Sequence, residues 1–205
     1  LDQAPGIAAT RWLDGLIEAG ISPRAVTNFN ESEALQSFKS GQAAFMRNWP
    51  YAWAELQKND SAVKNKVGIT TMVAQTGEKP AATLGSWGLS LLRGSARPES
   101  TVEAFKFLTS EDSQRYLYTN FGYTPTQNAV FKDQKLLKNH PSLASIGEAL
   151  SFARSRPETP LYAQVSDVLQ RKLSSTLTGM TSPTAGMEQA ERSTEQVLDA
   201  AGGTP

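Results

Sequence analysis

The chain has 205 residues, with 20 basic and 20 acidic side chains, a formal net charge of zero, one histidine and no cysteine. That length accommodates one ordinary domain or two small lobes, and charge spread this evenly lacks the basic footprint that nucleic acid demands. With His140 as the sole histidine and no thiol, zinc, haem, iron–sulfur and cysteine chemistry have no ligand set, so neither a metal nor a cofactor is expected.

The chain begins at Leu1, and no charged-then-apolar leader precedes the first apolar stripe, which reads as a chain processed or cut from something longer. Ile7, Ala8, Trp12, Leu13, Leu16 and Ile17 recur at helical spacing between Pro5 and Gly20, and predict an inward-facing helix over 5–20. Asn30 followed by Glu33 predicts a capping-box helix that carries Ala34, Leu35 and Phe38 and stops at Gly41. The short apolar run 43–46 predicts a buried strand that delivers the cluster Asn48-Trp49-Pro50-Tyr51-Ala52-Trp53 to a loop, with Trp53 in the core of the next helix. Runs 67–73 and 82–92 predict two strands joined by the polar turn 75–80. Pro98 opens a helix with Val102, Phe105, Phe107 and Leu108 inward, and Ser110 caps another carrying Leu117, Tyr118 and Phe121 up to Gly122. The remainder is predicted helical, over 142–154, 160–177 and 182–201, with Gly179 and Gly202 as terminators and 154–160 as a stiff, proline-shaped loop.

Aromatic rings lie flat on the apolar faces of sugars while neighbouring amides and guanidinium groups take up the hydroxyls. Trp49, beside Asn48 and Pro50, and Trp87, beside Gly85, Ser86 and Gly88, stand where a backbone can approach a ligand closely. Tyr51 belongs to the same cluster. Arg47 and Arg156 are the arginines of matching character, Arg156 on the stiff loop. Core packing of the aromatics and a surface ion pair for Arg156 are the alternatives. Catalysis has no candidate residue. The acidic pairs Glu31 with Glu33 and Glu111 with Asp112 sit at helix starts, where the dipole favours carboxylates, and no nucleophile elbow or phosphate loop occurs.

Several segments stand in a recognisable order: Phe38-Lys39-Ser40-Gly41-Gln42-Ala43-Ala44-Phe45-Met46, then Asn48-Trp49-Pro50, Gly85-Ser86-Trp87, and Glu103-Ala104-Phe105-Lys106-Phe107-Leu108-Thr109. Gly122-Tyr123-Thr124-Pro125-Thr126 and Arg156-Pro157-Glu158-Thr159-Pro160 complete it. Over essentially its whole length the chain resembles the carbohydrate-binding extracellular solute-binding proteins of ABC importers, of the trehalose/maltose-binding type. The resemblance implies an α/β, periplasmic-binding-protein-like (type II) fold, here a helix-rich C-terminal lobe plus a segment returning to the N-terminal lobe of a two-lobe protein. Residues 1–66 and 119–205 would belong to the C-terminal lobe and 67–118 to the N-terminal one.

By the same resemblance Trp49 and Tyr51 match the stacking aromatics, and Gly85, Ser86 and Trp87 match a Gly-Gly-Trp element whose second glycine is here a serine. Arg156 matches a late sugar-binding arginine, while Gln127 stands where many members carry arginine after Pro-Thr. The implied function is capture of a small glycoside, a disaccharide such as maltose or trehalose, and its delivery to permease subunits at the membrane. A monomer in the periplasm or outside the cell, lipid-anchored in the full-length protein, fits that role, and no nucleic acid enters it. The rival readings are a carbohydrate-processing enzyme or carbohydrate-binding module, and a helical interaction domain with purely structural aromatics.

Overall fold

The computed structural model describes residues 1–202. Its elements in chain order are α1 (Ala4–Glu18), a 3₁₀ turn (Arg24–Asn28), α2 (Glu31–Lys39), α3 (Ala52–Leu56), β1 (Ala82–Thr83), α4 (Pro98–Leu108) and α5 (Glu111–Phe121), followed by α6 (Asn128–Phe131), α7 (Gln134–Asn139), α8 (Ser142–Ser151), β2 (Ala153–Arg154), α9 (Tyr162–Leu177) and α10 (Pro183–Ala200). They fall into two compact units, one made of residues 1–30 and the chain from Pro157 onward, the other of Glu31–Arg156.

In the first unit α1, α9 and α10 pack on one another, burying Ile17, Val168, Met187 and Ala190. Ser182 starts α10 by accepting a bond from the Ala185 amide at 3.3 Å, and Pro183 occupies the first turn, where a missing N–H costs nothing. The tightest approach is at Gly186, where a Cβ would run into the hydroxyl of Thr176, a side chain with no exposed surface. Thr176 is tied back to the Lys172 carbonyl at 3.1 Å and cannot swing away freely. Gly186→Ala is therefore expected to destabilise the protein by about 1–3 kcal/mol despite alanine's better helix propensity. Gly15→Ala in α1, whose Cβ meets nothing within 4 Å, should instead stabilise by about 0.5–1 kcal/mol. Chemical denaturation of the two variants checks the contrast, and a stabilised Gly186→Ala would contradict the close packing.

The second unit has two apolar clusters. Tyr118, Val130, Leu136, Leu143 and Ile146 join α5, α6, α7 and α8, with Ile69, Phe131 and Leu137 against them. Leu35, Ala52 and Leu56 join α2 and α3, flanked by Phe38, Met46, Tyr51, Val63 and Val67. Lys39, buried at the end of α2, reaches both oxygens of Asp60 at 2.8 and 2.9 Å, which satisfies its charge where water is scarce. Ser110 starts α5 by accepting from the Ser113 amide, and Gly122 ends it with φ 73°. A side chain there would meet Ala54 Cβ at 2.6 Å, so the left-handed turn and the close approach to α3 both demand glycine.

Arg115 of α5 spans Asp133 at 2.8 Å, Asp112 at 2.9 Å and Glu111 at 3.0 Å. Asp133 also caps α7 by accepting from the Lys135 and Leu136 amides at 3.0 Å. The Leu136 N–H first, and then Arg115, hold its carboxyl below the ordinary aspartate value of 3.8. A depressed folded value means that this stability is fully present above 3.8 and is lost as pH falls through the lowered one. The thermal midpoint should thus fall more steeply on acidification in the parent than in Asp133→Asn, and parallel curves would contradict the assignment.

β1 and β2 pair in parallel, Ala82 opposite Ala153 and Thr83 opposite Arg154, and the Leu84 amide continues the ladder to the Arg154 carbonyl at 2.8 Å. Here the structure corrects the sequence reading. The runs 43–46, 67–73 and 85–92 form no ladder among the described residues, because an extended segment becomes a strand only where a neighbour takes up its N–H and C=O groups. The predicted helix 142–154 stops at Ser151, and its last residues become β2. Trp12 is exposed, α4 buries none of its residues, and Phe107 and Phe121 are exposed rather than inward. An apolar stripe marks a helix without saying what covers it. Trp53 falls inside α3 as predicted but is half-buried, not in the core.

Candidate functional site

Three chain segments of the second unit meet where the pairing of β1 with β2 ends. The parallel register sets Thr83 opposite Arg154, so that two residues further on Gly85 and Arg156 leave the ladder side by side. A Cβ on Gly85 would lie 3.6 Å from the Arg156 guanidinium. It would also lie 2.7 and 3.0 Å from Cη2 and Cζ3 of Trp49, so the benzo edge of that indole rests on the glycine backbone. Any side chain at position 85 would displace the ring.

Trp49 reaches this place through a compact turn. Asn48 Oδ1 accepts from the Trp49 amide at 2.7 Å, while its Nδ2 donates to the Glu31 carbonyl at 2.9 Å. The Trp49 carbonyl in turn accepts from the Ala52 amide at 3.0 Å as the chain enters α3. The indole Nε1–H donates to Glu31 Oε1 at 3.3 Å. Trp49 keeps 40% of its surface exposed, so a residue held at both ends of its ring still has surface open to a ligand.

Tyr51, half-buried, packs beside the α2–α3 cluster. Burial first, and then the charges of Glu31 and Glu55, push its phenol above the usual value of 10.0, so it stays a neutral donor. Ser86 donates to the Trp87 carbonyl at 3.3 Å, and Trp87 is 96% exposed, its ring in solvent. Trp49, Gly85 and Arg156 are thus brought together, whereas Trp87 stands clear of them. Arg47 is exposed. Gln127, read as a changed contact position, donates instead to the Thr109 carbonyl at the end of α4 at 3.1 Å.

Sequence reasoning missed Glu31. Its place in the first turn of α2 explained it as a helix-start carboxylate, and nothing local signals that its side chain meets an indole 18 residues away. The assembled groups are an indole, a planar five-donor cation and a carboxylate already engaged by the indole, with the Tyr51 phenol two residues along the same turn. Stacking and hydrogen bonding to a neutral, hydroxyl-rich molecule are what such a set performs well.

A sequence profile of the bacterial extracellular solute-binding protein family matches residues 2–115, more than half of the chain. The chain belongs to this family. Its relatives include a protein of Deinococcus radiodurans described as a probable ABC transporter-binding protein, 35% identical over 188 residues that make up 90% of this chain and 44% of that one. The maltose-bound MalE3 of T. maritima superposes with a TM-score of 0.86 at 34% identity, covering 94% of this chain and 50% of its own. A solute-binding protein from Thermotoga lettingae, bound to α-D-tagatose, superposes with a TM-score of 0.82 at 24% identity, covering 96% of this chain and 50% of its own, a likeness of fold. The chain therefore spans about half the length of the relatives it matches. This solute-binding protein has the periplasmic-binding-protein-like fold expected, represented by a helix-rich portion with little sheet. The family is one of binding proteins rather than enzymes, and extracellular by description. Among the described residues no helix is long and apolar enough to cross a membrane.

Proposed function

We propose that the protein is the substrate-binding component of an ABC sugar importer, which captures a small glycoside between two lobes and delivers it to the permease. The observation that carries this reading is the convergence of the Trp49 ring, the side-chain-free Gly85 and the Arg156 guanidinium at one point of the second unit. Trp49 and Tyr51 would stack on pyranose faces, Arg156 would fork onto vicinal hydroxyls, and Gly85 and Ser86 would offer backbone and hydroxyl contacts. Trp87, free in this chain, would close on the sugar when the lobes come together. A disaccharide fits best, since two separate rings stack on two sugar units, and the maltose held by MalE3 of T. maritima makes maltose the first candidate, with trehalose beside it. In this reading residues 67–118 belong with the N-terminal lobe and the rest with the C-terminal lobe, and the protein works as a monomer in the periplasm or, lipid-anchored, at the cell surface.

Titration of intrinsic tryptophan fluorescence with maltose, trehalose and sucrose, followed by chromatography of the recovered sugar, tests the reading. A saturable change with at least one sugar, recovered unaltered, is expected. Turnover of the sugar would replace binding by catalysis, and a flat response to all three would remove the sugar assignment.

A further inference from the structure

We infer that Glu31 is a positioning residue, which fixes the rotation of the Trp49 ring and so sets sugar affinity without touching the sugar. The inference rests on the proposed sugar site. Three bonds converge on two adjacent residues: Glu31 accepts from Trp49 Nε1 through its carboxylate and from Asn48 Nδ2 through its carbonyl, and Asn48 Oδ1 accepts from the Trp49 amide. The pyrrole edge of the indole is thereby held by Glu31, and its opposite benzo edge lies on Gly85. With both edges held the ring cannot turn about its Cβ–Cγ bond, and the face left open keeps one orientation. A ring already ordered loses less side-chain entropy when a ligand stacks on it, which converts into affinity.

The alternative role for Glu31 is the one its position suggests, a charge favouring the start of α2. The two roles depend on different properties of the side chain. Positioning needs reach and an acceptor oxygen; helix stabilisation needs charge. Glu31→Gln keeps the reach and the acceptor while losing the charge. Glu31→Asp keeps the charge and a favourable helix-start residue, so the fold persists, but it is one methylene too short to meet the indole.

The experiment measures maltose affinity of both variants in the full chain, together with the ¹H–¹⁵N resonance of the Trp49 indole, assigned by its disappearance in Trp49→Phe. Glu31→Asp should raise the maltose Kd roughly fivefold, move the indole resonance and speed its exchange with solvent. Glu31→Gln should bind maltose within about twofold of the parent and keep the slow exchange. The inference is overturned if the Trp49 resonance is unmoved in Glu31→Asp, if Glu31→Gln loses as much affinity as Glu31→Asp, or if Glu31→Asp binds as the parent does. Should the parent bind no maltose, the proposed function fails, and the indole resonance alone decides for or against the Glu31 link.

Discussion

Trp49→Ala is expected to raise the maltose Kd by roughly thirtyfold, equivalent to about 2 kcal/mol, the loss typical of removing an aromatic anchor from the centre of a contact. Three observations set that size. The ring is bonded to Glu31 on one edge and rests on Gly85 on the other, which by the inference above leaves less ordering to be lost when a ligand arrives. It and the Arg156 guanidinium both flank Gly85, so in the proposed site the ring and the cation would engage the same ligand. It retains 40% exposure, and its truncation empties part of a surface rather than a core. The thermal midpoint should consequently change by far less than the affinity. Isothermal titration paired with calorimetric unfolding measures both, and a variant that lost stability while keeping affinity would make Trp49 a structural ring.

Leu143→Ala is expected to cost about 3 kcal/mol of stability. Leu143 has no exposed surface and sits among Tyr118, Val130, Leu136 and Ile146, side chains delivered by four different helices. Deleting three heavy atoms there loses their transfer free energy and leaves a cavity that helices arriving from several directions cannot all collapse into. The denaturant midpoint should drop with the slope unchanged. Ile21→Ala, at a residue 72% exposed, should stay within about 0.5 kcal/mol of the parent. Equal losses in the two variants would contradict the placement of the core.

Local chemistry made the helices legible. Ser110 begins a helix and Gly122 and Gly179 end helices where a cap and terminators are read from the sequence, because those signals act within a turn of the residue that carries them. The strands were less legible because pairing is non-local. The apolar run 82–92 becomes strand only at Ala82–Thr83, where Ala153–Arg154 supplies the other side of the ladder. Burial was legible only in part for the same reason: on α1 Ile17 is covered while Trp12 is not, and on α4 Phe107 has the spacing of a covered face without a partner that periodicity could name.

At the site, the residue types pointed to Trp49, Gly85 and Arg156, and the β1–β2 register explains in retrospect how positions 85 and 156 become neighbours. Glu31 was invisible because its bond to Trp49 depends on how α2 and the 48–51 turn pack, a tertiary fact without a sequence signature.

In the proposed function this corner of the second unit binds a sugar through the Trp49 face and Arg156. A crystal structure of the intact protein grown with maltose tests it most directly. A glucose ring is expected to lie on the exposed face of Trp49, with the Arg156 guanidinium donating to its hydroxyls and Glu31 still bonded to the indole. Maltose bound elsewhere, with water covering Trp49, would contradict it.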